Sequence, residues 1–155
     1  MPEGPEVRRE ADALARALRG RPLVRAEYRV SGLERRAKRL EGARVMRAWS
    51  HGKALLIAFD RGLVHYSHNQ LYGRWRIADA GDDPGGGRAV RVVLATGRRA
   101  AILESATEIE LLAPGELGRH PFLAQLGPDA LDRATTPARV AARLADPRFA
   151  RTTLG

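Results

Sequence analysis

The sequence contains no cysteine, so neither a disulfide nor a cysteine-ligated zinc can form within this chain. Lysine is almost missing too: Lys38 and Lys53 are the only two, and the other 25 of the 27 basic residues are arginine. No apolar run approaches the ~20 residues that span a bilayer, and no signal-peptide core follows Met1. These absences lead to the expectation of a soluble, intracellular protein with no membrane partner. Disulfide scaffolds are excluded as a class.

What is present is positive charge. The formal net charge is +9 over 155 residues, a length that suits one domain burying about two thirds of its unfolded surface. The excess is uneven: residues 1–100 carry 21 basic and 11 acidic groups, and residues 101–155 carry 6 and 7. A basic first part followed by a neutral tail fits a polyanion met by one side of the molecule. An arginine-rich but merely solvated surface gives the same balance. Against that background Lys53 stands out, because a lysine amine can exchange a proton and a guanidinium cannot.

The chain is organised around its first residues, Met1-Pro2-Glu3-Gly4-Pro5-Glu6. Pro2 is small enough for Met1 to be trimmed ahead of it, leaving a free secondary amine. An α-amino group titrates near ~8, so part of it is unprotonated at neutral pH. Such an amine attacks carbonyl-like carbon, and a secondary amine yields a charged iminium that makes the neighbouring proton removable. At C1′ of a deoxyribose this chemistry releases the base and then breaks the 3′ phosphate bond by β-elimination. Glu3 is placed to donate a proton to the sugar ring oxygen. Met-Pro is also an ordinary start, and Glu3 and Glu6 fit the first turn of a helix, where carboxylates offset the dipole.

The pattern predicts a helix over 5–19, with Val7, Ala11, Leu14 and Leu18 as its apolar stripe and Gly20 as its stop. Strands are expected at 22–30, 43–50, 53–59, 62–68, 72–78, 89–95, 99–105 and 107–112, with Asp79 to Gly87 as a surface connection. Thr136-Pro137 reads as an N-cap with proline at the first helical position. The fold class is therefore mainly β with flanking helices: a two-layer antiparallel sandwich with an N-terminal helix and C-terminal helices.

Two further stretches carry chemistry. In His51-Gly52-Lys53-Ala54-Leu55-Leu56-Ile57-Ala58-Phe59, alternation puts Lys53 on the side of Leu55, Ile57 and Phe59, at the mouth of the core. A lysine snorkelling at a strand end fits the same pattern. In Tyr66-Ser67-His68-Asn69-Gln70-Leu71-Tyr72-Gly73-Arg74-Trp75-Arg76, a turn puts Gln70, Leu71 and Tyr72 at a tip. Trp75 and Ile77 then face inward, and Arg74 and Arg76 outward toward phosphates. An exposed Leu-Tyr tip would suit a wedge that fills duplex DNA after base flipping, with Gln70 on the orphaned base. On this stretch alone, a loop folded back with Leu71 and Tyr72 buried is the plainer reading.

Together, the Met-Pro-Glu-Gly-Pro-Glu start, the His51–Leu56 turn and Tyr66–Gly73 resemble the endonuclease VIII branch of the formamidopyrimidine-DNA glycosylase/endonuclease VIII family. Arg119-His120-Pro121-Phe122-Leu123 and Gly127-Pro128-Asp129 resemble the end of its N-terminal catalytic domain, so the likeness runs from residue 1 to about 149. It implies a bacterial, nucleoid-associated base-excision DNA glycosylase/AP lyase that works as a monomer on damaged DNA. Pro2 would be the Schiff-base nucleophile, Glu3 the proton donor, Lys53 the proton-handling partner and Glu6 a support. Gln70, Leu71 and Tyr72 would be the DNA-binding residues that fill the duplex. Leu71-Tyr72-Gly73, where the sister enzyme has Met-Ser-Gly, favours oxidised pyrimidines as substrates.

The resemblance also has gaps. It implies residues 1–135 as the catalytic domain and 136–155 as the start of a helical linker. The family's helix–two-turn–helix and zinc-finger domains are absent from this chain, so no cofactor is expected within it. A lesion-side asparagine and an arginine used in δ-elimination go with them. Gln125 stands where a basic DNA contact is usual, and no such role is given to it. The alternative to an enzyme is a catalytically weak DNA-binding remnant of the same family.

Overall fold

The computed structural model describes residues 2–82 and 89–147. Helix α1 (Gly4–Leu18) follows the predicted stripe: Val7, Ala11, Leu14 and Leu18 are its buried residues. Burying each leucine is worth about 2 kcal/mol, enough to seat the helix although its other faces carry arginines. Gly20, at φ +74°, ends it in a left-handed conformation that glycine adopts without a steric penalty.

Eight strands follow: β1 (Arg25–Tyr28), β2 (Val45–His51), β3 (Ala54–Phe59), β4 (Val64–His68), β5 (Arg74–Asp79), β6 (Val90–Ala95), β7 (Arg99–Glu104) and β8 (Glu108–Leu112). They form two four-stranded sheets, in the orders β1-β6-β7-β5 and β2-β3-β4-β8, and every pairing is antiparallel. The expected two-layer sandwich is thus observed. Its main core joins α1 to the inner faces of both sheets, through Leu55, Ile57 and Phe59 of β3 and Trp75, Leu94, Ala101 and Leu103 opposite.

Strand β3 is apolar on both faces for a structural reason. Its other face, Ala54 and Leu56, joins Tyr66 in a second cluster under Leu117, Phe122 and Leu123. Those covering residues come from α3 (Pro114–Leu117) and α4 (Pro121–Gln125), which with α2 (Glu34–Lys38) are helices that the strand pattern did not foresee. Residues 22–30 accordingly shorten to the four-residue β1 before the chain turns into α2. α5 (Pro137–Leu144) begins as expected, with the Thr136 hydroxyl accepting from the Arg139 N–H at 3.3 Å.

The connection between β4 and β5 does more than reverse the chain. β4 pairs with β3 and β8, whereas β5 pairs with β7, so residues 69–73 pass from one sheet to the other. The expected surface connection after Asp79 lies outside the described residues from position 83 to 88, as does everything after Pro147.

Candidate functional site

Pro2 precedes the N-cap, Glu3, whose extended backbone (φ −94°, ψ 169°) admits Pro5 into the first turn of α1. The Glu3 N–H donates to the Glu6 carboxylate at 2.9 Å, which satisfies one of the donors a helix start leaves open. Glu6 therefore fixes the backbone of Glu3. The Glu3 carboxylate is left to point elsewhere.

It points at Lys53. Lys53 Nζ donates to Glu3 Oε1 at 3.0 Å, across fifty positions of sequence. The lysine is delivered by the tight turn from β2 into β3, where Gly52 stands at φ +59°. A Cβ on Gly52 would also meet a Leu126 methyl at 3.2 Å, and its carbonyl lies 3.8 Å from where a Cβ on Gly4 would stand. The turn and the helix start thus touch through two glycines, which is what brings the amine-bearing end and the lysine to one place. His51 ties the same turn to the Gly127 carbonyl at 3.2 Å.

Side-chain exposures of 63% for Glu3 and 34% for Lys53 put this pair at the rim of the sandwich, open to a large ligand. Lys53 stops at the edge of the core. An exposed pair of this kind adds under about 1 kcal/mol to stability, so its geometry matters for proton movement more than for folding. A cleft of about 890 Å³ lies elsewhere, between Arg8, Trp49 and the segment from Leu126 to Asp146, and neither Glu3 nor Lys53 lines it.

The β4–β5 crossover presents the second group of expected residues. Leu71 and Tyr72 are 67% and 71% exposed, which corrects the reading of a loop folded back on the sandwich. The tip is nevertheless built. Gln70 adopts φ +51°, and the Thr107 hydroxyl donates to its side-chain carbonyl at 2.5 Å. The Gly73 N–H closes the turn on the Asn69 carbonyl at 2.7 Å. A Cβ at position 73 would stand 2.5 Å from that same oxygen, so only glycine fits.

Arg74 and Arg76 do face away from the core. Both reach Glu104 of β7, at 3.9 and 3.5 Å, and the Glu104 side chain is 3% exposed. A carboxylate buried that deeply holds its cations, because leaving it unpaired would cost several kcal/mol.

Two residues at this site carried almost no sequence signal. Asn69 is 2% exposed, and its Nδ2 donates to Glu10 Oε2 of α1 at 2.6 Å. The Trp75 backbone amide lies near enough to the same carboxylate to favour its charged form. Burial pushes the Glu10 carboxyl above the usual range, and the Asn69 bond and the Trp75 amide pull back the other way. The one clue in the sequence is a glutamate flanking the apolar stripe of α1, three residues after Val7. Gln125 lies exposed at the end of α4, where its carbonyl accepts from Arg143 at 2.8 Å.

Comparison with known proteins agrees with this arrangement. The model of the formamidopyrimidine-DNA glycosylase N-terminal domain matches residues 1–107. Endonuclease 8 of Enterobacter sp. (strain 638) is 48% identical over 149 residues, and so is that of Klebsiella pneumoniae (strain 342). The alignment takes in 96% of this chain and 57% of each relative, so the chain spans little more than half their length. Among solved structures, Lactococcus lactis Fpg in complex with a DNA containing N7-benzyl-Fapy-dG superposes with a TM-score of 0.70 at 20% identity, over 82% of this chain and 49% of that one. The same enzyme bound to an AP-site DNA gives 0.71, also at 20% identity, over 82% and 50%. At that identity the likeness is one of fold, whereas the matched domain model extends over more than two thirds of the sequence. The chain belongs to the formamidopyrimidine-DNA glycosylase N-terminal domain family.

Proposed function

We propose that this chain is the catalytic sandwich of a DNA glycosylase/AP lyase of base-excision repair, directed at oxidised pyrimidines. The observation that carries the reading is the convergence of the Pro2–Glu3 end of α1 with Lys53, at 3.0 Å between Glu3 and Lys53. With Met1 removed, the Pro2 amine attacks C1′ of the damaged nucleotide. The C1′–base bond breaks, and the base leaves with the electron pair and takes up a proton. Glu3 gives a proton to the ring oxygen as the sugar opens, and the nitrogen lone pair forms the iminium at C1′. Loss of a C2′ proton then expels the 3′ phosphate with the C3′–O electrons. Water hydrolyses the remaining iminium and frees the Pro2 amine.

Lys53, in contact with the Glu3 carboxylate, is the group that can return or remove protons between these steps. Leu71 and Tyr72, exposed on a closed tip, supply the apolar surface that fills the space left by a base turned out of the stack. Gln70 then faces the unpaired partner base. All of these groups come from one chain, which supports action as a monomer on damaged DNA. Among the described residues no helix is long and apolar enough to cross a membrane, consistent with a nucleoid-associated enzyme. In this reading residues 1–135 are the catalytic domain, and 136–155 begin a helical linker.

Strand cleavage tests the proposal. An oligonucleotide with one abasic site is incubated with the chain after Met1 removal and, separately, with a form whose N-terminus is acetylated. The free amine should yield the β-elimination product and the acetylated form should not. Equal cleavage by both would refute the nucleophile, and no cleavage by either would leave the remnant reading in its place.

A further inference from the structure

The tip and the catalytic end lie on opposite sides of the fold's connectivity: one is the crossover between sheets, the other the start of α1. The tip is tied to α1 through Asn69. Glu10 accepts from Asn69 Nδ2 at 2.6 Å, just before the tip, and the Gly73 N–H closes the tip on the Asn69 carbonyl at 2.7 Å. Asn69 is buried, and its Oδ1 has no hydrogen-bond partner among the described residues. Glu10 is therefore the only side-chain anchor Asn69 has there, and without it a buried amide would be left unmade at both ends. Glu10 lies two turns along the helix whose N-cap is Glu3, so one rigid rod of about 10 Å links tip and site.

We propose that Glu10 is the positioning residue for Gln70, Leu71 and Tyr72, fixing the tip at a set distance and direction from Glu3 and Pro2. The inference rests on reading the tip as a duplex wedge, and it assigns Glu10 no contact with DNA. A wedge held on the same helix as the nucleophile enters the duplex in register with the sugar under attack. A loosened tip would still permit chemistry wherever no duplex has to be opened.

Two arms test it, with Glu10→Leu, Glu10→Gln, Asn69→Ala and the Glu10→Leu/Asn69→Ala double variant of the whole chain. In the first, amide hydrogen exchange is followed without DNA. Glu10→Leu should speed exchange at residues 70–73 at least tenfold and leave β3 and β7 unchanged. In the second, abasic-site cleavage is compared in single-stranded and duplex DNA, with 2-aminopurine opposite the site reporting insertion of the tip. Glu10→Leu should lose at least tenfold on duplex together with the fluorescence change, and keep single-strand cleavage within twofold. The double variant should be no worse than Glu10→Leu alone. Glu10→Gln, which keeps the shape and one acceptor oxygen, should fall between, and it serves if the leucine variant does not fold. Unchanged exchange at 70–73, equal losses on both substrates, or additive effects in the double variant would each overturn the assignment. If the unaltered chain cleaves neither substrate, the enzymatic reading fails, and the exchange arm still decides the clamp.

Discussion

At the scale of single residues, the account turns on what lysine can do and arginine cannot. Lys53 Nζ touches the Glu3 carboxylate, and Lys53→Arg would preserve the charge and a donor while ending proton exchange. Cleavage by that variant should slow by about tenfold or more in single-turnover assays, with DNA affinity unchanged within about twofold. Equal rates would reduce Lys53 to a charged strand end. A second residue-scale prediction concerns the core. His65 is fully buried, shares a 2.9 Å hydrogen bond with Tyr28, and burial lowers its pKa to about 3. The neutral ring is therefore the form the fold favours. Its stabilisation is complete above the unfolded value of about 6.5 and is lost as pH falls toward 3. Between pH 8 and pH 5 the chain should lose about 2 kcal/mol of unfolding free energy in urea titrations. Replacing the pair together, Tyr28→Phe with His65→Leu, should flatten that slope.

At the scale of elements, the tip separates function from stability. Leu71 and Tyr72 are exposed, so Leu71→Ser with Tyr72→Ser should change stability by no more than about 0.5 kcal/mol per site. The same pair should cut duplex cleavage strongly. Gly73→Ala should do the reverse of a surface change, because its Cβ would fall 2.5 Å from the Asn69 carbonyl and 2.7 Å from its Cα. A loss of about 1–3 kcal/mol is expected, read as a lower urea midpoint. What was legible here followed local pattern. The stripe of α1 shows a repeat of 3.6, and the eight strands show as short runs set off by turn residues. The three short helices α2, α3 and α4 were not legible, since four or five residues hold little more than one turn of any period. Pro114 with Glu116 three positions after Ala113, and Pro121 after His120, are the start signals that mark two of them in retrospect.

At the scale of the molecule, the sequence displayed the participants of the site but not their partners. Pro2, Glu3, Lys53 and the Gln70–Tyr72 tip are marked by residue type and local position. The meeting of Glu3 with Lys53 depends on a turn and a helix start fifty residues apart, and nothing local encodes that. The same limit hid the bond between Glu10 and Asn69 across the fold, and the carboxylate on another strand that Arg74 and Arg76 share. Several arginines are likewise paired with carboxylates, as in Arg8–Asp12, Arg36–Glu116 and Arg99–Asp79. Binding of this chain to duplex DNA should therefore be weak and fall with salt. The slope of log K against log salt should be about −2 to −4, as for a few phosphate contacts, measured by fluorescence anisotropy.

The central claim is that the nucleophile is the Pro2 amine. The most direct measurement traps the intermediate: the chain lacking Met1 is incubated with abasic-site DNA and borohydride, and the adduct is digested and mapped by mass spectrometry. The account predicts a single reduced linkage at the nitrogen of Pro2, lost when Met1 is retained and still formed in Lys53→Arg. An adduct on Lys53, or one of equal yield with Met1 in place, would contradict it.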